Sequence, residues 1–171
     1  VDIPAVDVPA GYTTLFVFPY SVGFQFSGFK NLAALNEAIT KRLKNLGVTT
    51  LLFMRHLELI EYEIKIPGKE ASGEYLLDAE PVNDHCTRVS AIESEDDKTD
   101  ESLSFIKFSM PIDSRVSTRT IDVAFTVATD KEGKTTFQKA KNPYISVYFP
   151  TETESKLDFI VQGPFRTTPN R

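Results

Sequence analysis

The residues best suited to chemistry lie together near the end of the chain. An alternating apolar segment, 157–162, runs into Gly163 and Pro164, and a polar loop follows. Guanidinium groups are permanently charged and can hold phosphate oxygens through two parallel hydrogen bonds, while hydroxyl and amide groups add neutral donors. We therefore predict an anion-binding loop with two acting arginines and four supporting residues: Arg166 and Arg171, supported by Gln162, Thr167, Thr168 and Asn170. The alternative, in which both arginines are surface charges or form an inter-domain salt bridge, stays open.

Other arrangements that could carry catalysis are weak in this sequence. Of the two histidines, His56 fits a structural role better than that of a catalytic base. His85 is next to Cys86, and a nucleophile pair is not expected there because neighbouring side chains on a strand point to opposite faces. One cysteine, Cys86, cannot form a structural zinc site, and we expect no bound metal. The sequence contains neither Gly-x-Gly-x-x-Gly nor the P-loop motif, and the acidic run 93–101 lacks calcium-loop spacing. We therefore expect that this chain alone is not an enzyme.

Composition limits the class of protein. A chain of 171 residues with 41% hydrophobic residues is long enough for one domain with a real core. The net charge of −5 argues against nucleic acid or an anionic membrane as a partner, and no apolar run is long enough to span a bilayer. A single cysteine excludes an internal disulfide framework and favours a cytoplasmic location.

One helix and eight or nine strands are predicted from the hydrophobic pattern. Apolar residues at spacings of three and four predict a helix between an Asn31 N-cap and Gly47: Leu32, Leu35, Ile39, Leu43 and Leu46. The run 51–54 is apolar on both faces and predicts a central strand, whereas 121–127 alternates cleanly. Because a sheet with few helices must be covered by them on one face, we predict an α+β fold with a mostly antiparallel sheet.

Three segments resemble a known family. Segment 11–20, Gly-Tyr-Thr-Thr-Leu-Phe-Val-Phe-Pro-Tyr, resembles the segment that follows the ATP-binding domain of sacsin-like proteins. Segment 51–61, Leu-Leu-Phe-Met-Arg-His-Leu-Glu-Leu-Ile-Glu, is similar to a later strand of those proteins, although His56 stands where they usually have Asn. Segments 148–152 and 161–171 resemble the close of the same region, and 161–171 is the most specific.

The resemblance implies the middle, or transducer, domain of a GHKL-type (histidine kinase-like) ATPase, the chaperone-like group that includes the ninety-kilodalton heat-shock proteins. Such a domain has a ribosomal protein S5 domain 2-like α+β fold and supplies a basic residue to the γ-phosphate of ATP bound elsewhere. On this analogy Arg166 or Arg171 would be that residue. ATP and Mg would bind to the parent protein and not to this chain alone.

The resemblance also implies an organisation for the chain. We expect residues 1–10 to be a linker from a missing N-terminal ATP-binding domain and residues 11–171 to be the transducer domain of a larger protein. That missing domain is the expected partner; a protein client and a homodimer are further expectations. The competing interpretation is a non-catalytic β-rich module that binds a protein through an exposed sheet edge.

Overall fold

The computed structural model describes residues 10–11, 28–96, 98–112, 119–141, 143–147 and 149–165. These residues form one α-helix and nine β-strands: α1 (Leu32–Lys44), β1 (Leu59–Ile66), β2 (Lys69–Asn83), β3 (Cys86–Glu95), β4 (Lys98–Ile112), β5 (Arg119–Thr129), β6 (Thr135–Gln138), β7 (Tyr144–Val147), β8 (Phe149–Glu154) and β9 (Ile160–Gln162). The chain divides into two compact units, Val1–Arg42 and Leu43–Arg171. The described part of the first unit holds most of α1, and the second unit holds the whole sheet.

The helix begins and ends at the residues that the sequence indicates. Asn31 Oδ1 accepts a hydrogen bond from the Ala34 amide at 2.9 Å, which satisfies one of the free N–H groups of the first turn. Beyond the C-terminal end, Gly47 has a φ of 83°, a left-handed conformation that glycine adopts without steric cost. The predicted helix is confirmed, although of its five predicted apolar positions Leu35 alone is buried.

Antiparallel pairing dominates the sheet. Its strand order is β1-β2-β3-β4-β5-β9-β7-β8, and β6 pairs with the part of β5 that β9 leaves open. Strands β1 to β5 follow one another in sequence and in space, as hairpin connections favour. The exception to antiparallel pairing is β7 with β9, which run parallel. Strand β9 therefore lies between β5 and β7, although β9 comes last in the chain.

One face of the sheet, here called the core face, carries the main hydrophobic core. Alternate residues of β2 to β5 point to it, among them Tyr75, Leu77, Phe105 and Ala124, and Ile160 of β9 joins them. The chain before β1 contributes Val48, Leu51, Leu52 and Phe53 to this core, and these four residues lie in consecutive turns. The core is thus closed by the curled sheet and by turn residues, with no helical residue in the described cluster.

The opposite, outer face has a smaller aromatic cluster centred on Phe125. The centroid of the Phe125 ring lies 6.1 Å from that of Phe108, 5.6 Å from that of Phe137 and 5.1 Å from that of Phe159. Two of these rings are edge-on to Phe125, a favourable geometry for aromatic pairs. Phe108 and Phe137 remain exposed, so this cluster is open to solvent on one side.

Two predictions from the sequence are wrong. The fold is mostly β with a curled half-barrel sheet, not an α+β transducer fold of the S5 domain 2 type with helices on one face. Segment 51–54 is not a central strand: Leu52 N bonds to Thr49 O at 3.1 Å and Met54 N to Leu51 O at 2.9 Å, as in successive turns. Both errors have one cause, because the buried turns supply the apolar cover that we assigned to helices.

No helix in the described ranges is long and apolar enough to cross a membrane.

Candidate functional site

Gln162 is the one predicted site residue inside the described part of the chain. It ends β9, where it pairs with Asp122 of β5 on one side and Ser146 of β7 on the other. Its side chain is only 4% exposed, and Oε1 accepts no hydrogen bond from the described residues. The other five lie outside the described residues, and their roles stay predictions: Arg166, Thr167, Thr168, Asn170 and Arg171.

The start of the predicted loop is held against the sheet. Gly163 N donates to Ser146 O at 3.2 Å, and Phe165 N donates to Gly163 O at 2.8 Å. A Cβ atom at Gly163 would lie 3.2 Å from Phe165 Cζ and 3.6 Å from Ile121 Cγ1, so the Phe165 ring packs close over this glycine. The chain therefore leaves the sheet at Gly163 along a fixed path.

A cavity of about 430 Å³ opens at one end of the core face, where the apolar core gives way to polar side chains. Four strands and the segment before β1 contribute its twelve lining residues: Phe53, Met54, Arg55, Glu58, Leu77, Ala79, Pro81, Thr87, Lys107, Ser109, Thr120 and Asp122. One wall is apolar and the other carries hydroxyl and charged groups. Ligand pockets commonly enclose about 300 to 1,000 Å³ with this kind of mixed lining.

A short hydrogen-bond chain crosses the polar wall. Arg55 Nη2 donates to Thr120 Oγ1 at 2.9 Å, and Thr120 Oγ1 donates to Asp122 Oδ2 at 3.2 Å. Asp122 is a buried carboxylate on the core face of β5, and Arg55 is an exposed residue of the segment before β1. These bonds join a buried negative charge to the positive charge of an exposed side chain that also lines the cavity.

Lys107 brings a second cation into the cavity. Its Nζ donates to Leu52 O at 3.3 Å, and within the described ranges no carboxylate lies within 4 Å of it. Burial lowers the pKa of Lys107, and attraction to Asp122 opposes this shift, while repulsion from Arg55 adds to it. Attraction to Asp122 therefore offsets only part of the cost of burying the positive charge of Lys107.

The other residues weighed from the sequence do not join this cavity. His56 and His85 are exposed, and Cys86 is a buried free thiol. The acidic run is a hairpin of β3 and β4, in which Glu95 pairs with Lys44 of α1. Among the described residues there is no cluster of three His, Cys, Asp or Glu that could hold a metal ion.

Sequence reasoning missed Arg55, Lys107 and Asp122. The available signal was strand alternation, in which every second residue lies on the same face. Lys107 is two residues from the fully buried Phe105, and Asp122 is two residues from the fully buried Ala124. A charged residue at a core-face position of a strand marks a place where the core stops or a ligand enters. The alternation of 121–127 shows which residues share a face of the strand but not which face is buried.

Comparison with known proteins identifies no relative: no family model matches the chain, and neither a curated protein nor a solved structure matches it.

Proposed function

We propose that this chain is a non-hydrolysing coupling module of a GHKL-type, sacsin-like ATPase. In this role the segment after β9 brings Arg166 or Arg171 to the γ-phosphate of ATP, which is bound with Mg in an N-terminal domain of the same protein. The role does not depend on the S5 domain 2-like fold, which the structure excludes. It requires a rigid sheet from which a basic segment emerges at a defined point.

The observation that carries the proposal is the convergence of two of the resembling segments. Arg55 of segment 51–61 reaches Asp122 through Thr120, and Asp122 is the strand partner of Gln162 in segment 161–171. Ninety-nine residues, 62–160, separate the two segments in the chain. Their meeting at β5 supports a shared role at one end of the sheet.

The setting of β9 supports the same role. A loop positions a charged group well when the element before it is rigid. Strand β9 is hydrogen-bonded on both sides, and Gly163 remains bonded to Ser146 after the strand ends. Arg166 follows Gly163 by three residues, so the arginine proposed to bind the phosphate is close in sequence to the hydrogen-bonded end of β9.

The chemistry of the proposal is electrostatic. An arginine supplied by a neighbouring domain stabilises the charge that develops on the transferring phosphoryl group. Its engagement requires ATP with its γ-phosphate, so hydrolysis releases the contact and permits a movement between domains. We place this activity in the cytoplasm, where ATP is available and a lone thiol such as Cys86 stays reduced.

The test is steady-state ATP hydrolysis by the parent protein, with ATP affinity measured in parallel. Arg166→Ala or Arg171→Ala is expected to lower turnover by about two to four orders of magnitude at near-normal affinity. Lys134→Ala, a change of an exposed cation in the β5–β6 turn, is the matched control. Normal turnover in both arginine variants would refute the proposal.

A second candidate function is a non-catalytic β-rich module that binds a protein client. The observation that favours it is β1, which among the described strands pairs with β2 alone. An extended client segment could add to this edge through backbone hydrogen bonds. Glu63, whose backbone N–H points away from β2, gives the test: Glu63→Pro would remove one donor from the open edge of β1, whereas Glu63→Gln would retain it. Loss of client binding in the proline variant, with ATP hydrolysis unchanged, would favour this function over the first.

A further inference from the structure

The cavity between segment 53–58 and strands β2 to β5 has the features of a binding site that is distinct from the proposed contact with ATP. It is lined by described residues of the second unit alone, so it is formed within one compact body. It has an apolar wall that includes Phe53, Met54 and Leu77, and a polar wall that includes Lys107 and Asp122.

The charges of the cavity favour one kind of ligand. Arg55 and Lys107 are two cations on the same cavity, and Asp122 is the one buried carboxylate among the lining residues. Arg55 and Glu58 are both exposed, so water screens the charge of each, and Lys107 is the partly buried cation of the cavity. A partly buried cation that lacks a close ion partner is stabilised when an anion enters beside it.

Each of the two cations also has several hydrogen-bond donors. An ammonium group has three N–H donors and a guanidinium group has five. The structure uses one donor of Lys107, to Leu52 O, and one of Arg55, to Thr120 Oγ1, in bonds between described residues. The hydroxyl groups of Thr87 and Ser109 line the same wall and could complete the coordination of an oxyanion.

From this arrangement we propose that the cavity binds a small organic oxyanion, a compound with one carboxylate or phosphate group on a compact apolar body. The anionic group contacts Lys107 and Arg55, and the apolar body packs against Phe53, Met54 and Leu77. Asp122 keeps Arg55 in place through Thr120 and disfavours ligands with a second anionic group. This site is independent of the arginines proposed to act on ATP.

The test uses three probes that share one phenyl ring and differ in charge: benzoate, phenyl phosphate and neutral benzyl alcohol. Binding is followed at low salt by chemical shifts of backbone amides in the ¹⁵N-labelled chain. We expect saturable shifts at the amides of 53–58, 107–109 and 120–122 for at least one anion, and weaker binding of the alcohol. Preference for benzoate or for phenyl phosphate distinguishes a carboxylate from a phosphate ligand.

Two variants locate the anion. Lys107→Gln and Arg55→Gln are each expected to raise the Kd of the bound anion by about tenfold, since a hydrogen bond to a charged group is lost. Lys69→Gln, at an exposed position in the β1–β2 hairpin outside the cavity, is the matched control. Arg55 is exposed, so its variant is expected to fold even where the Lys107 variant does not.

Three results would overturn the proposal. One is the absence of saturable shifts at the cavity for both anions. Another is binding of benzyl alcohol as tight as that of the anions, which would make the site merely apolar. The third is unchanged anion affinity in the folded Arg55 variant.

Discussion

Arg55 and Asp122 are connected through a single hydroxyl group. Thr120 Oγ1 accepts from Arg55 Nη2 at 2.9 Å and donates to Asp122 Oδ2 at 3.2 Å. The segment before β1 is thereby fixed to the start of β5, 65 residues later in the chain. Because Asp122 also pairs with Gln162 in the sheet, the same connection reaches the base of the predicted anion-binding segment.

This connection predicts that the Thr120 hydroxyl stabilises the chain. Thr120→Val keeps the shape of the side chain but leaves the buried Asp122 carboxylate with one donor fewer. We expect the free energy of unfolding to fall by about 1 to 3 kcal/mol, measured by urea denaturation. Thr120→Ser retains the hydroxyl and is the control; equal stability of the valine and serine variants would show that the hydrogen bonds contribute nothing.

The position of the main core predicts opposite results for two phenylalanines. Phe105 on the core face is 0% exposed, whereas Phe137 on the outer face is 67% exposed. Phe105→Ala is expected to lower the free energy of unfolding by about 3 to 5 kcal/mol because it removes contacts and leaves a cavity. Phe137→Ala should cost less than about 1 kcal/mol. Similar losses for both variants in urea denaturation would contradict the assignment of the core face.

Close packing between β1 and β2 predicts that one methyl group added at Gly73 destabilises the chain. Gly73 is the strand partner of Tyr62, and a Cβ atom at Gly73 would lie 2.7 Å from Tyr62 Cε1. Gly73→Ala is expected to displace the tyrosine ring and to destabilise the chain by about 1 to 3 kcal/mol. In a Tyr62→Ala background the same change should cost much less. A cost independent of residue 62 would exclude the ring as the cause.

Tyr75 predicts a loss of stability at alkaline pH. Its side chain is 1% exposed, its hydroxyl donates to Leu43 O at 2.8 Å, and burial together with the charge of Glu93 raises its pKa to about 12. An exposed tyrosine has a pKa of about 10. The contribution of the protonated phenol is therefore complete below about pH 10 and is lost as the pH rises through 12.

The measurement for Tyr75 is urea denaturation of the wild-type and Tyr75→Phe chains between about pH 8 and pH 12. The wild-type chain should lose free energy of unfolding more steeply above pH 10 than the variant. Tyr144→Phe, a change at a much more exposed position on β7, is the control. Parallel curves for the wild-type and Tyr75→Phe chains would contradict a raised pKa.

The helix could be predicted because its signals are local. Asn31 provides the N-cap and Gly47 the left-handed residue, and both act within a few residues of the helix that they delimit. The strand that alternates in 121–127 was found for a similar reason, since side chains of a strand point to opposite faces in turn.

What the sequence could not provide was the face that each alternation buries. In β5 the apolar residues Val123 and Phe125 share a face, as predicted, but the main core is on the side of Ala124. The choice depends on Phe105 of the neighbouring strand and on the buried turns 51–53, which are remote in sequence. The α+β prediction is wrong for the same reason, because a covering layer of turns has no periodic signal.

The residues of the candidate site also differ in whether the sequence alone could predict them. Arg166 and Arg171 were predicted from residue type and from a resemblance, and Gln162 from its position beside them. Arg55, Lys107 and Asp122 come together through strand register and one hydroxyl group, so their proximity could not be found before the fold was known.

The most direct test of the coupling role is hydrogen–deuterium exchange of the parent protein, with and without a non-hydrolysable ATP analogue. We predict that the analogue slows exchange in segment 162–171 and that this protection is lost in the Arg166→Ala, Arg171→Ala double variant. Unchanged exchange in 162–171, under conditions in which the analogue protects the ATP-binding domain, would contradict the proposed contact.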